Sequence, residues 1–258
     1  MSAHTLNLAA PPTTTRDETI PFGRLLRVEW GKSLDTRAAR WLLTGIALLT
    51  ACAALVPVLL PDQIQQGWLS HLALTGLVLA LLLPLVSILT LTSEWGQRSV
   101  LVTFTQEPRR HRVVAAKMLA GLTLALLGAA YAAAVTAAAM AASDTLGRSV
   151  DWSVDGRYLL GFTLFLVANS LMGMAFGALL LNTPAAIVMF LVLPSLWTLL
   201  SFGWLADAGR WLDTAKTYRY ILEADWHGHT GPILVSLAVW VATPFAAGIV
   251  RTLRREVS

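Results

Sequence analysis

Hydrophobic positions along this chain are not scattered but gathered into six long runs, at 41–60, 68–92, 118–142, 158–181, 184–206 and 232–250. None of the six contains Asp, Glu, Lys or Arg. Each is about 19–25 residues long, and at a rise of about 1.5 Å per residue that covers the roughly 30 Å hydrocarbon core of a bilayer. In lipid a single segment satisfies its own backbone hydrogen bonds only as a helix, so length and apolarity together predict six transmembrane helices. The expected fold class is an all-α integral membrane protein, with one six-helix domain over 20–258.

Charge gives this pattern a direction. With the N-terminus inside, fourteen Lys and Arg residues fall on cytoplasmic segments and five on external ones, while Asp and Glu divide seven to eight. Only positive charge is restricted in this way across a membrane, so both termini are expected in the cytoplasm. Composition agrees, since 13% of residues are charged against roughly 25% in a soluble domain. The basic residues flank the apolar runs, which points away from nucleic acid and toward the lipid bilayer.

The connecting segments differ in kind. Residues 1–19, rich in Thr and Pro and without an apolar signal-peptide core, read as a disordered cytoplasmic tail. Residues 20–40 read as a basic amphipathic helix in the headgroup layer. Leu26, Trp30 and Leu34 lie one above another at four-residue spacing, with Arg24, Arg27 and Lys32 around them. Only Asn182 and Thr183 separate spans four and five from the following Pro184, so a tight hairpin is expected there. The loop at 207–231 is external and aromatic enough (Trp211, Tyr218, Tyr220, Trp226) to lie at the interface as a short helix.

The longest cytoplasmic loop, 93–117, opens with Glu94 at the membrane boundary, runs through Arg98 to Glu107-Pro108-Arg109-Arg110, and closes on Lys117. Pro108 interrupts any helix, so one or two short helices are expected. Such a loop is either a positive-inside segment without a partner or a docking surface for a soluble protein.

The order of Glu, a short polar spacer, Thr-Phe, Glu-Pro-Arg-Arg and a Lys opening the next helix resembles the type-2 ABC transporter permeases, in particular actinobacterial multidrug or antibiotic exporter permeases. Glu29-Trp30-x-Lys32 before span one is similar to that family's elbow helix. Many members carry Gly-Thr where this chain has Arg98-Ser99. The resemblance covers residues from about 20 onward. It implies a permease dimer, homo- or heteromeric, in the plasma membrane, each copy bound to a cytoplasmic ABC ATPase subunit. It also implies that Glu94, Arg98, Glu107, Pro108, Arg109, Arg110 and Lys117 form the ATPase-coupling segment. The 182–183 turn would add a second contact, the 207–231 segment would carry re-entrant outer helices, and spans two and five would line the dimer interface.

Other chemistry is sparse. Gly31-Lys32-Ser33 imitates the end of a phosphate-binding loop, but Leu26 stands where that loop requires glycine, so ATP binding by this chain is not expected. Cys52 is the one cysteine and lies in an apolar run, which excludes an intramolecular disulfide. His71 is expected at interface depth, Asn169 as a helix–helix hydrogen-bonding residue, and His227 and His229 as solvated loop residues. No catalytic set, cofactor or metal is expected. Gly173-x-x-x-Gly177 permits close helix packing. A transporter driven by its own ion gradient needs ionisable groups in its spans, and their absence calls for an external energy source. The function expected is therefore that of an exporter's membrane subunit for a hydrophobic or amphipathic cargo. The alternative is a non-transporting membrane scaffold or regulatory subunit.

Overall fold

The computed structural model describes residues 21–35, 37–96, 109–201, 209 and 211–254. Among the described residues all regular structure is helical, and the one β-bridge is isolated, between Gly67 and Asp151. Helix α1 covers Phe22–Asp35, α2 Arg37–Leu59, α3 Trp68–Gly96, α4 Arg110–Thr145, α5 Gly156–Leu180 and α6 Thr183–Ser201. A short α7, Thr214–Leu222, precedes a last helical rod made of α8 (Thr230–Leu237), a π-helical turn (Ala238–Ala242) and α9 (Thr243–Arg254). Six helical stretches are long and apolar enough to cross a membrane: Ala39–Leu59, Trp68–Ser93, His111–Thr145, Gly156–Leu180, Thr183–Ser201 and Thr230–Arg251. The chain is a multi-pass membrane protein.

Two helices form the centre. About half of the α3 span (50%) and 61% of the α5 span are buried within the chain, whereas α6 is buried over only 17% of its span. Helices α3 and α5 run parallel, and their seam is set by small residues. A Cβ built on Gly173 would stand 2.8 Å from the Pro84 carbonyl oxygen, and one on Gly177 3.5 Å from Ile88 Cα. This is the close approach that the glycine spacing in α5 predicted. Helix α4 packs antiparallel against both, with Leu83 on Gly128 and Met174 on Gly121.

One end of the bundle is pinned by a single amide. Gln66 Nε2 donates to the Pro57 and Ile64 carbonyls (2.7 and 3.0 Å), and its Oε1 accepts from the Ser143 hydroxyl at 2.7 Å. Its backbone carbonyl accepts from Asp151 N at 2.8 Å. The ends of α2 and α4, the loop before α3 and the loop after α4 therefore meet on one buried residue. Arg148 adds a bond to the Val58 carbonyl. His71, in the first turn of α3, is fully buried within the chain, with Nδ1 held 2.9 Å from the Gly67 carbonyl. Cys52 is exposed on α2.

Residues 211–231 fold at this same end. Asp213, 2% exposed, caps α7 by accepting from Ala215 N (2.9 Å) and Lys216 N (3.4 Å), and from the Thr198 hydroxyl on α6 (3.1 Å). Helix α7 lies on α5, where the Ile221 and Leu222 carbonyls leave no room for a side chain at position 161. Tyr218 sits edge-on to Phe165 (centroids 5.4 Å apart), and its hydroxyl reaches Met172 Sδ at 3.5 Å. Burial pushes its phenol well above the ordinary tyrosine range. His227 is exposed, and His229, about a third exposed, stacks on Tyr220 and lies 3.1 Å from Asp225.

In the last rod, Pro244 has no N–H to give to the Trp240 carbonyl. The turn before it widens to π geometry, and the Thr243 hydroxyl donates to the Ala238 carbonyl at 2.8 Å.

Candidate functional site

The opposite end of the bundle gathers the C-terminus of α3, the N-termini of α4 and α6, the C-termini of α5 and α9, and α1. Here lies a buried ion pair between separate helices. Glu29, 1% exposed, receives Lys117 Nζ at 2.6 Å and Lys32 Nζ at 2.8 Å. Lys117 is 6% exposed and Lys32 reaches in from solvent. The Lys117 ammonium also points at the Thr90 carbonyl of α3, 3.5 Å away, the outer limit of a hydrogen bond. A carboxylate this buried is tolerable only because the cations meet it. Removing one partner of such a pair costs roughly 3–5 kcal/mol.

The local sequence explains how α1 carries an acid inward. Its buried face is Leu25, Glu29 and Ser33, at four-residue spacing. Leu25 packs with Val113 and Ala116 of α4, and the Ser33 hydroxyl is absorbed by the Glu29 carbonyl at 3.0 Å. The apolar stripe expected at Leu26, Trp30 and Leu34 is only half-buried, and Trp30 and Leu34 pack at the edge of the central core. The docked face is thus turned by one residue, about 100°, from the hydrophobic stripe, because the ion pair and not apolar contact sits at its centre.

Helix α4 begins at Arg110, two turns before the expected start of span three at 118, so residues 110–117 are continuous with the span and not part of a separate short helix. Lys117 is therefore held rigidly on the face of α4 that meets α1. Of the sequence-predicted residues, Glu29, Lys32 and Lys117 are brought together, and Trp30 lies beside them. Arg109 is exposed at the N-cap of α4, about 12 Å of helix rise from Lys117. Glu94 lies in the last turn of α3 and Arg110 opens α4, with only their backbones described. Arg98, Glu107 and Pro108 lie outside the described residues.

Sequence reasoning missed the buried threonines of α3 and their link to the 182–183 turn. Thr90 and Thr92 are buried near the end of α3, and Thr92 Oγ1 lies 2.7 Å from Thr183 Oγ1 at the start of α6. A pair of threonines 91 residues apart leaves no periodic signal. The burial of Glu29 had one faint sign, since it occupies the same helical line as Leu25 and Ser33 with Lys32 three residues on.

Away from this end α3 changes character. Ile88 is sealed in a cluster with Ala186 and Phe190 of α6. Toward the Gln66 end, Leu69, Ala73, Leu77 and Leu81 form an exposed stripe on one face of α3. Helix α6 exposes Val188, Leu191, Val192, Leu196 and Leu199. Among the described residues no group of His, Cys, Asp and Glu is arranged to hold a metal.

No family model matches this chain, and no curated protein matches it.

Proposed function

We propose that the chain is the membrane-spanning subunit of an ABC-type exporter, working with a second permease copy and a separate cytoplasmic ATPase. The observation that carries the reading is the junction of Glu29, Lys32 and Lys117 at the bases of α1, α3 and α4, beside spans with apolar centres. A subunit powered from within would place its ionisable groups along the spans. This one has its buried carboxylates at the two ends, Asp213 at one and Glu29 with Lys117 at the other, and at the Glu29 end an outside partner can push on the pair. With positive charge inside, that end faces the cytoplasm and α1 serves as the elbow helix. The exposed stripes of α3 and α6 would then border the path between two copies, offering leucine and valine to a hydrophobic or amphipathic cargo.

The test is capture of tagged protein from its native membrane in mild detergent, repeated with Glu94→Ala and Arg109→Ala. A soluble ATPase recovered with the wild type and lost with the variants supports the proposal. Recovery of no ATPase from intact, monodisperse protein overturns it in favour of a non-transporting scaffold.

A further inference from the structure

We infer that the base of α4 and the turn between α5 and α6 are yoked by a buried polar chain that makes them one mechanical unit with α1. The chain runs from Glu29 to Lys117 at 2.6 Å, from Lys117 to the Thr90 carbonyl at 3.5 Å, along about half a turn of α3 to Thr92, and across to Thr183 at 2.7 Å. The direction of its last link follows from the donors available. The Thr92 hydroxyl proton is already given to the Ile88 carbonyl at 2.9 Å, so the Thr183 hydroxyl must donate to Thr92.

The turn that receives this bond is stiff. Leu181 adopts the left-handed conformation (φ 52°), and its N–H donates to the Gly177 carbonyl at 2.9 Å. Asn182 then caps α6, its Oδ1 accepting from Ala185 N at 3.0 Å and its backbone carbonyl from Ala186 N at 2.9 Å. The Arg251 guanidinium donates to the Leu179 carbonyl at 2.6 Å, which holds α9 on the same turn. A displacement at Thr183 is therefore a displacement of the whole α5–α6 hairpin. Apolar packing runs beside the polar chain, with Leu91 of α3, Met174 and Ala178 of α5 and Phe245 of α9 in one cluster. A ladder of apolar contacts alone can slide by fractions of a turn, whereas the Thr92–Thr183 bond has one register.

The geometry stands without the transport reading, and only the consequence rests on it: a push on α4 reaches the α5–α6 hairpin, and hence the exposed face of α6, without a second contact from the ATPase.

The experiment is a pair of spin-label distances on the full chain in lipid nanodiscs, with Cys52→Ala as background. One pair, Arg27→Cys with Ala185→Cys, spans the yoke between exposed sites. The other, Gln63→Cys with Thr145→Cys, spans the Gln66 end as a control. The yoke predicts one narrow distance for the first pair, broadened by Lys117→Met and by Thr183→Val and kept narrow by Thr183→Ser, with the control pair unchanged. Because the links act in series, the double variant Lys117→Met/Thr183→Val broadens the distance no further than either single change. Unchanged widths in both single variants overturn the inference, as does a Thr183→Ser distribution as broad as that of Thr183→Val. Broadening of both pairs together also overturns it, since that reports general loosening. No ATPase is needed, so a positive result here with no ATPase captured leaves the yoke intact and removes only its proposed driver.

Discussion

Two alanine substitutions on one face of α5 separate a steric seam from mere small-residue preference. At Gly173 a new Cβ would lie 2.8 Å from the Pro84 carbonyl oxygen, 3.0 Å from Pro84 Cβ and 3.1 Å from Pro84 Cα. All three atoms are backbone or ring, so nothing can swing aside, and α3 and α5 must separate by roughly half an ångström to reach ordinary contact near 3.4 Å. At Gly177 the nearest atoms are 3.5 Å away, and a methyl group fits as it stands. Both residues lie inside the same helix, so the gain in helix propensity from glycine to alanine, about 1 kcal/mol, is common to the two and cancels in their difference. What remains is the cost of overpacking at Gly173, about 1–3 kcal/mol. Because α3 and α5 are the most buried spans, that cost falls on the centre of the bundle. Reversible unfolding in mixed micelles of increasing denaturing detergent measures it. Gly173→Ala is expected to be less stable than Gly177→Ala by that amount, a shift of about 5- to 140-fold in the equilibrium constant at 1.4 kcal/mol per decade. Equal stability of the two variants would refute the argument that α3 and α5 are held at this separation.

Asp213→Ala removes the cap of α7 and the only described side-chain tie from α7 to the Thr198 hydroxyl. A loss of about 1–2 kcal/mol is expected, seen as a lower unfolding midpoint, and Asp213→Asn should recover part of it by keeping one acceptor oxygen. Topology is open to cysteine labelling of intact cells in a Cys52→Ala background. A membrane-impermeant maleimide is expected to modify Asp62→Cys and to reach Arg109→Cys only after lysis, and the reverse pattern would invert the orientation argued from positive charge.

The six membrane helices were legible in the sequence because the bilayer imposes its thickness on each segment separately. A run long enough, free of charge and bounded by basic residues needs no knowledge of its neighbours. The boundaries found at α2, α3 and α5 therefore fall close to those read from hydropathy. The start of α4 does not. Its first two turns carry Arg112 and Lys117, which hydropathy reads as loop, yet they are helical and Lys117 is buried because Glu29 from another helix neutralises it. The same partner explains why α1 docks along Leu25, Glu29 and Ser33 and not along its apolar stripe. Gly173-x-x-x-Gly177 announced a close contact, but only the packing shows that Pro84 fills one site and leaves slack at the other. Glu29 and Lys117 stood out as residues 88 positions apart, Thr183 only as part of the 182–183 turn, and Thr92 did not stand out at all. Local sequence specifies how much of each helix the lipid accepts. Which polar groups meet is decided by helix register and rotation, and these depend on every neighbouring helix at once.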